Sequence, residues 1–154
     1  MLYMRNIYTT IDIHAPAETV WEVLTDFAAY PEWNGHTRIT GDPAEGARLT
    51  VAPGPDAGSM PTFKPRVLRA DGNELAWRGH LWVRGLFDGE HSFTVEDVSP
   101  DETRLIQSEQ FSGVLAGLIL RRYGKQTEET FEAVNAALKA RAEAMAAVPD
   151  EISA

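Results

Sequence analysis

His91 and Glu109 are the pair in this sequence whose types and positions best suit acid–base chemistry. They sit in "GEHSFTVEDVSPDETRLIQSEQF", residues 89–111. Period-two alternation puts His91, Phe93 and Val95 on one face and Glu90, Ser92 and Thr94 on the other. Phe93 and Val95 must reach a core, so the imidazole faces inward with them. Asp88-Gly89, ahead of this strand, reads as a hairpin turn, and Ser99–Asp101 behind it as another. The second turn pairs Val98 with Glu102, Val95 with Leu105, Phe93 with Gln107 and His91 with Glu109. Opposed residues on such strands hold their Cβ atoms about 4.5–5.5 Å apart. A carboxylate that close fixes one imidazole tautomer and strengthens the ring as a base. The same pair can instead recognise a ligand, or merely satisfy itself as a buried polar contact. A one-residue slip of register separates the two groups.

Other chemistry is poorly supported. Ser108 and Glu109 are adjacent in a strand and face opposite ways, so Ser108, His91 and Glu109 form no triad. His14, His36, His80 and His91 lack the helical spacing of a zinc site, so no metal is expected. No Gly-x-Ser-x-Gly elbow, phosphate loop or dinucleotide fingerprint occurs, and no cofactor is expected.

Apolar residues that could wall a ligand site surround the pair. Trp77 shares a strand face with Leu75, Gly79 and Leu81. Gly79 leaves a gap beside a large ring that a flat ligand could enter, although glycine in a strand can also mark a bend. Phe63, Pro65 and Val67 fall on the inward face of the neighbouring strand. Phe93 and Gln107 extend the wall that His91 and Glu109 begin. Tyr123 and Thr127 approach from the C-terminal helix. Trp21, Phe27, Trp33 and Phe131 are assigned to the core, given the area each must bury.

Ile7, Thr9, Ile11 and Ile13 alternate as the first strand. Pro16 suits the first turn of a helix whose apolar face is Val20, Trp21, Leu24 and Phe27, and "AAYPEWNG" breaks it. Strands follow at roughly 37–40, 47–52, 62–70, 74–83, 90–98 and 103–111, with a Gly/Pro loop between Ala52 and Thr62. From Leu115 to Ala146 the period is helical, with Thr127, Phe131, Val134 and Leu138 as the inward stripe. Gly113 and Gly117 permit a close backbone approach at the helix entry. Short turns favour an antiparallel sheet, and a lone long helix must cover one face of it.

The chain has 154 residues, the size of a single domain. Its core is expected over 7–146, with a flexible tail at 147–154. It carries 23 acidic against 14 basic residues, a net charge of −9, which disfavours nucleic acid and anionic lipid as partners. The absence of cysteine excludes disulfides, thiol nucleophiles and thiolate zinc sites. "MLYMRNIYTT" has no signal-peptide core, and the apolar run Val114–Leu120 is short of the roughly 20 residues a membrane helix needs. A cytoplasmic protein, without membrane insertion, monomeric or homodimeric, is expected.

"IDIHAPAETVWEVLTDFAAYPEWNG", "GLFDGEHSF" and "SEQFSGVLAGL" resemble the SRPBCC superfamily, in its polyketide cyclase/dehydrase branch. The resemblance spans Ile7 to Ala144. It implies an α+β helix-grip fold of the Bet v 1/START-like kind. In that fold a strongly curved antiparallel sheet of about seven strands wraps a long C-terminal helix, with two short helices after the first strand. It also implies a deep cavity for a small hydrophobic molecule of polyketide, lipid or aromatic type. The first motif builds the helix pair and specifies no activity. The leading expectation is therefore a ligand-binding protein. The alternative is a cofactor-independent cyclase, aromatase or dehydratase with His91 and Glu109 as acid and base. A third reading is an interaction module with an exposed apolar patch around Val114–Leu120.

Overall fold

Alternation along "IYTTIDI" buries Ile7, Thr9 and Ile13 and exposes Tyr8, Thr10 and Asp12, the pattern of a strand with one solvated face. This is β1 (Tyr3–Ile13), the edge of a five-stranded antiparallel sheet in a computed structural model that describes residues 3–147 apart from Ser59. The other strands are β2 (Thr37–Thr40), β3 (Thr50–Pro53), β4 (Arg66–Ala70), β5 (Glu74–Leu81), β6 (Phe87–Ser99) and β7 (Glu102–Gly113). The large sheet runs β1-β7-β6-β5-β4, and β2 and β3 pair separately. The helices are α1 (Ala17–Thr25), a 3-10 helix over Phe27–Glu32, and the long α2 (Ala116–Ala147). The helix-grip architecture read from the sequence is present, and the expected tail beyond Ala147 lies outside the described residues.

The strands are grouped differently from the expectation of one sheet. Isolated bridges, Val51 to Phe63 and Arg48 to Arg66, join the small pair to the large sheet. Val51 N–H donates to Phe63 O at 2.8 Å and Leu49 N–H to Pro65 O at 2.9 Å. Pro65 has no N–H to return, so the ladder is interrupted there. The strand expected from Thr62 accordingly starts at Arg66, and the one expected over 47–52 narrows to Thr50–Pro53.

Asp88-Gly89 is not a turn. Both residues lie inside β6, with Asp88 opposite His80 and Gly89 opposite Gly79. The chain reverses upstream, between Leu81 and Phe87, where Trp82 (φ 65°) and Gly85 (φ 96°) take left-handed backbone. The Asp88 carboxylate accepts the Gly85 N–H at 3.0 and 3.1 Å, fixing this turn from within the strand. Asp88 thus supplies turn chemistry at a distance rather than at its own position.

β6 and β7 pair as the alternation requires, from Asp88 opposite Ser112 to Asp97 opposite Thr103. Only the end differs: Ser99, not Val98, opposes Glu102, because a bulge lies between Asp97 and Ser99. On α2, Leu120, Phe131, Val134, Leu138 and Ala142 are buried against the sheet. Ile13, Leu24, Leu105 and Leu138 belong to one core cluster and Ile7, Phe111, Leu120 and Phe131 to a second. Among the described residues no helix is long and apolar enough to cross a membrane.

Candidate functional site

Between the inner face of β5–β7 and α2 lies a pocket of about 500 Å³ that residues of both core clusters line. This is within the about 300–1,000 Å³ of small-molecule sites. Trp77, Gly79 and Leu81 reach it from β5, and Gly89, His91 and Phe93 from β6. Gln107, Glu109 and Phe111 reach it from β7, and Tyr123, Thr127 and Phe131 from α2. Phe63 and Trp33 wall it from the first half of the chain. Every residue expected at a ligand site is therefore at the pocket except Val67. That side chain is 1% exposed, pairs with Trp77 and is packed into the core beneath it.

Two glycines shape the floor. Gly79 and Gly89 face each other across β5 and β6. A Cβ on Gly79 would stand 3.2 Å from Pro65 Cβ, and one on Gly89 only 2.1 Å from Glu109 Oε2. The carboxylate of Glu109 therefore lies across residue 89, and this clearance, not a turn, is what the glycine provides.

The register brings His91 and Glu109 together as a hydrogen-bonded pair, Nδ1 to Oε1 at 2.8 Å. Trp77 stacks on the imidazole, centroids 5.0 Å apart at 20°, and Phe131 meets it edge-on at 4.9 Å. Nε2 lies 2.9 Å from Gln107 Oε1. The direction of each bond follows from backbone carbonyls, which only accept. Thr9 Oγ1 donates to Gln107 O at 2.8 Å, so it accepts from Asn135 Nδ2, also at 2.8 Å. Gln107 Nε2 donates to Phe131 O at 3.1 Å and to Asn135 Oδ1 at 2.6 Å. Gln107 Oε1 is then the acceptor, and His91 Nε2 carries a hydrogen. The contact of Nδ1 with Glu109 needs a further proton. One proton therefore lies between Nδ1 and Oε1, with the Trp77 ring stacked on the imidazole face. Both ring nitrogens are engaged, and the oxygen left over is Glu109 Oε2.

Asn135 and Thr9 were not singled out in the sequence. The available signal was an asparagine inside the apolar stripe of α2, between Val134 and Leu138, where a buried amide demands partners. Ser108 bonds Ser92 at 3.0 Å on the outer face, clear of the histidine. Asn34, 2% exposed, accepts the His36 and Thr37 N–H groups through Oδ1 at 2.9 and 3.0 Å. Its Nδ2 is the buried side-chain atom left without a partner among the described residues. Tyr30 donates to Leu24 O at 2.6 Å, and burial, then the nearby Asp26, pushes its hydroxyl well above the usual tyrosine range. Among the described residues no three His, Asp or Glu side chains converge as a metal site.

Solved structures share this architecture. An aromatase/cyclase, ZhuI, from Streptomyces sp. R1128 is 24% identical, with a TM-score of 0.62 over 92% of this chain and 94% of that one. A START superfamily protein from Mycobacterium smegmatis is 22% identical, with a TM-score of 0.70 over 91% and 98%. Norcoclaurine synthase from Thalictrum flavum, solved with dopamine and hydroxybenzaldehyde, is 15% identical, with a TM-score of 0.68 over 90% and 86%. At these identities the likeness is one of fold. No curated protein matches the sequence. The profile of the family described as polyketide cyclase / dehydrase and lipid transport matches residues 4–147, nearly the whole chain. The protein belongs to that family.

Proposed function

We propose that this protein binds a small, flat, largely apolar molecule that carries a hydroxyl or similar hydrogen-bond donor. One observation carries the reading: apolar and aromatic walls of a pocket of about 500 Å³ surround a single engaged ion pair whose remaining acceptor is Glu109 Oε2. Such a site takes up hydrophobic area through Trp77, Phe93 and Phe131 and orients the ligand by one charge-assisted hydrogen bond. Calorimetric titration with 2-naphthol, which has a flat apolar body and one donor, tests it. Binding of naphthol, weaker binding of its methyl ether, and a smaller difference in Glu109→Gln are expected. Absence of binding by naphthol and by the ether sinks the reading.

The same geometry favours a second reading, an enzyme of the cyclase or dehydratase kind. The family description and the aromatase/cyclase likeness support it. His91 has no ring nitrogen left for a substrate, so Glu109 Oε2 would take the proton from a carbon next to a carbonyl. Glu109 would return that proton to the departing hydroxyl, which leaves as water, and His91 would position the carboxylate. Turnover of a β-hydroxy ketone, reduced about 10²-fold or more in Glu109→Gln, tests this. Activity that survives the substitution excludes it.

A further inference from the structure

The mouth of the pocket is marked by its exposed lining residues. Met60, Pro61, His80, Trp82, Tyr123 and Gln126 are exposed, while the other lining residues are buried or half-buried. Apolar side chains crowd this rim. Met60, Trp82, Val83, Val114, Leu118 and Tyr123 are six of the eight large apolar residues exposed on the described surface. The turn between β5 and β6 and the entry to α2 form one continuous edge: Val114 N–H donates to Gly85 O at 3.0 Å and Leu115 N–H to Leu86 O at 2.8 Å.

The charge of this edge is opposite to that of the whole. Residues 79–87 and 110–127 hold Arg84, Arg121, Arg122 and Lys125 and no aspartate or glutamate, in a chain of net charge −9. All four are exposed, and none is in an ion pair among the described residues. Leu118, Arg121, Arg122 and Lys125 follow helical spacing along the first turns of one face of α2, which becomes acidic at Glu128 and Glu129, one turn farther from the mouth. Ile119, Tyr123 and Thr127 line the cavity on the adjoining face.

We propose that this rim docks the protein on an anionic lipid bilayer, mouth toward the headgroups, so that an apolar ligand passes between cavity and membrane without crossing water. Tryptophan and tyrosine beside aliphatic side chains, flanked by cations, is the composition of an interfacial membrane contact. The net charge of −9, which disfavours anionic lipid for the chain as a whole, does not decide the outcome at this pole. At a Debye length of about 8 Å the bilayer senses the pole that approaches, and the acidic remainder turns that pole forward. Docking goes beyond the proposed function and can hold without it.

Cosedimentation with vesicles of phosphatidylcholine, alone or mixed with phosphatidylglycerol, tests the inference. The protein is expected to bind the mixed vesicles and to be released by salt. Arg121→Gln and Arg122→Gln should each weaken binding about fivefold, and Leu118→Gln should weaken it further. None of these side chains lines the pocket, so 2-naphthol affinity is expected to stay unchanged and certifies that the variants are folded. Vesicle binding without naphthol binding leaves docking standing and removes the ligand reading. A folded, naphthol-binding protein that ignores the mixed vesicles overturns the proposal, as do variants that partition like the parent. A dimer that Leu118→Gln dissolves, with no vesicle binding, assigns the face to a second copy and also overturns it.

Discussion

Glu109 lies across Gly89: a Cβ at residue 89 would fall 2.1 Å from Glu109 Oε2 and 3.2 Å from its Cδ. A strand glycine is thereby tied to the pose of a carboxylate on the neighbouring strand. Gly89→Ala should push the Glu109 carboxylate, the end of a flexible side chain, off His91 and cost about 1–3 kcal/mol, because the buried imidazole loses its partner. The expected outcome is a changed His91 imidazole signal by nitrogen NMR and about tenfold weaker 2-naphthol binding, the loss of one charge-assisted hydrogen bond. An unchanged imidazole signal would contradict the assignment.

His91 and Glu109 should respond unequally to removal. His91→Leu leaves the half-buried Glu109 carboxylate and the buried Gln107 Oε1 without their partner, an effect of about 2–3 kcal/mol. In Glu109→Gln the amide N–H can donate to Nδ1 of a neutral ring, and about 1 kcal/mol or less is expected. Denaturant unfolding of both variants measures the difference. Equal losses would mean that the ring is not the fixed centre of the network.

Asn135 closes the network on the helix side. Asn135→Ala strands a Gln107 N–H and deprives Thr9 Oγ1 of its donor, at about 1–3 kcal/mol. Because Gln107 also holds His91, a double-mutant cycle of Asn135→Ala with His91→Leu should show coupling of about 0.5 kcal/mol or more. Strict additivity would disconnect the helix from the ion pair.

Tyr30 predicts an alkaline limit. Burial raises its folded-state pKa above the ordinary value near 10, so its contribution to stability is complete below pH 10 and is lost as pH rises beyond that. Tyr30→Phe forfeits the bond to Leu24 O, about 1 kcal/mol at neutral pH. Its melting temperature should nevertheless fall less steeply above pH 10 than that of the parent, and parallel curves would contradict this.

The pairing of His91 with Glu109 was legible because Phe93, Val95 and Leu105 fix which faces are inward and a short turn fixes the register. The bulge at Val98 escaped because it lies beyond that apolar stretch and shifts nothing inside it. Asp88-Gly89 misled because both residues have turn chemistry in isolation; the aspartate caps a turn upstream and the glycine yields space to a carboxylate. Nor could alternation separate Val67 from the true lining, since sharing an inward face with Phe63 does not say which residue is covered by Trp77. Hydrogen-bond directions, which decide that Glu109 rather than His91 offers the remaining acceptor, required the backbone carbonyls of Gln107 and Phe131 in place.

The pocket presents Glu109 Oε2, the oxygen of the His91–Glu109 pair that the imidazole does not engage, among its aromatic walls. A structure determined with 2-naphthol bound tests this most directly. The naphthol ring is expected against Trp77, Phe131 and the Gly79–Gly89 floor, with its hydroxyl donating to Glu109 Oε2. Naphthol seated elsewhere, or a cavity closed by side chains with the Glu109 carboxylate turned to bulk water, would contradict it.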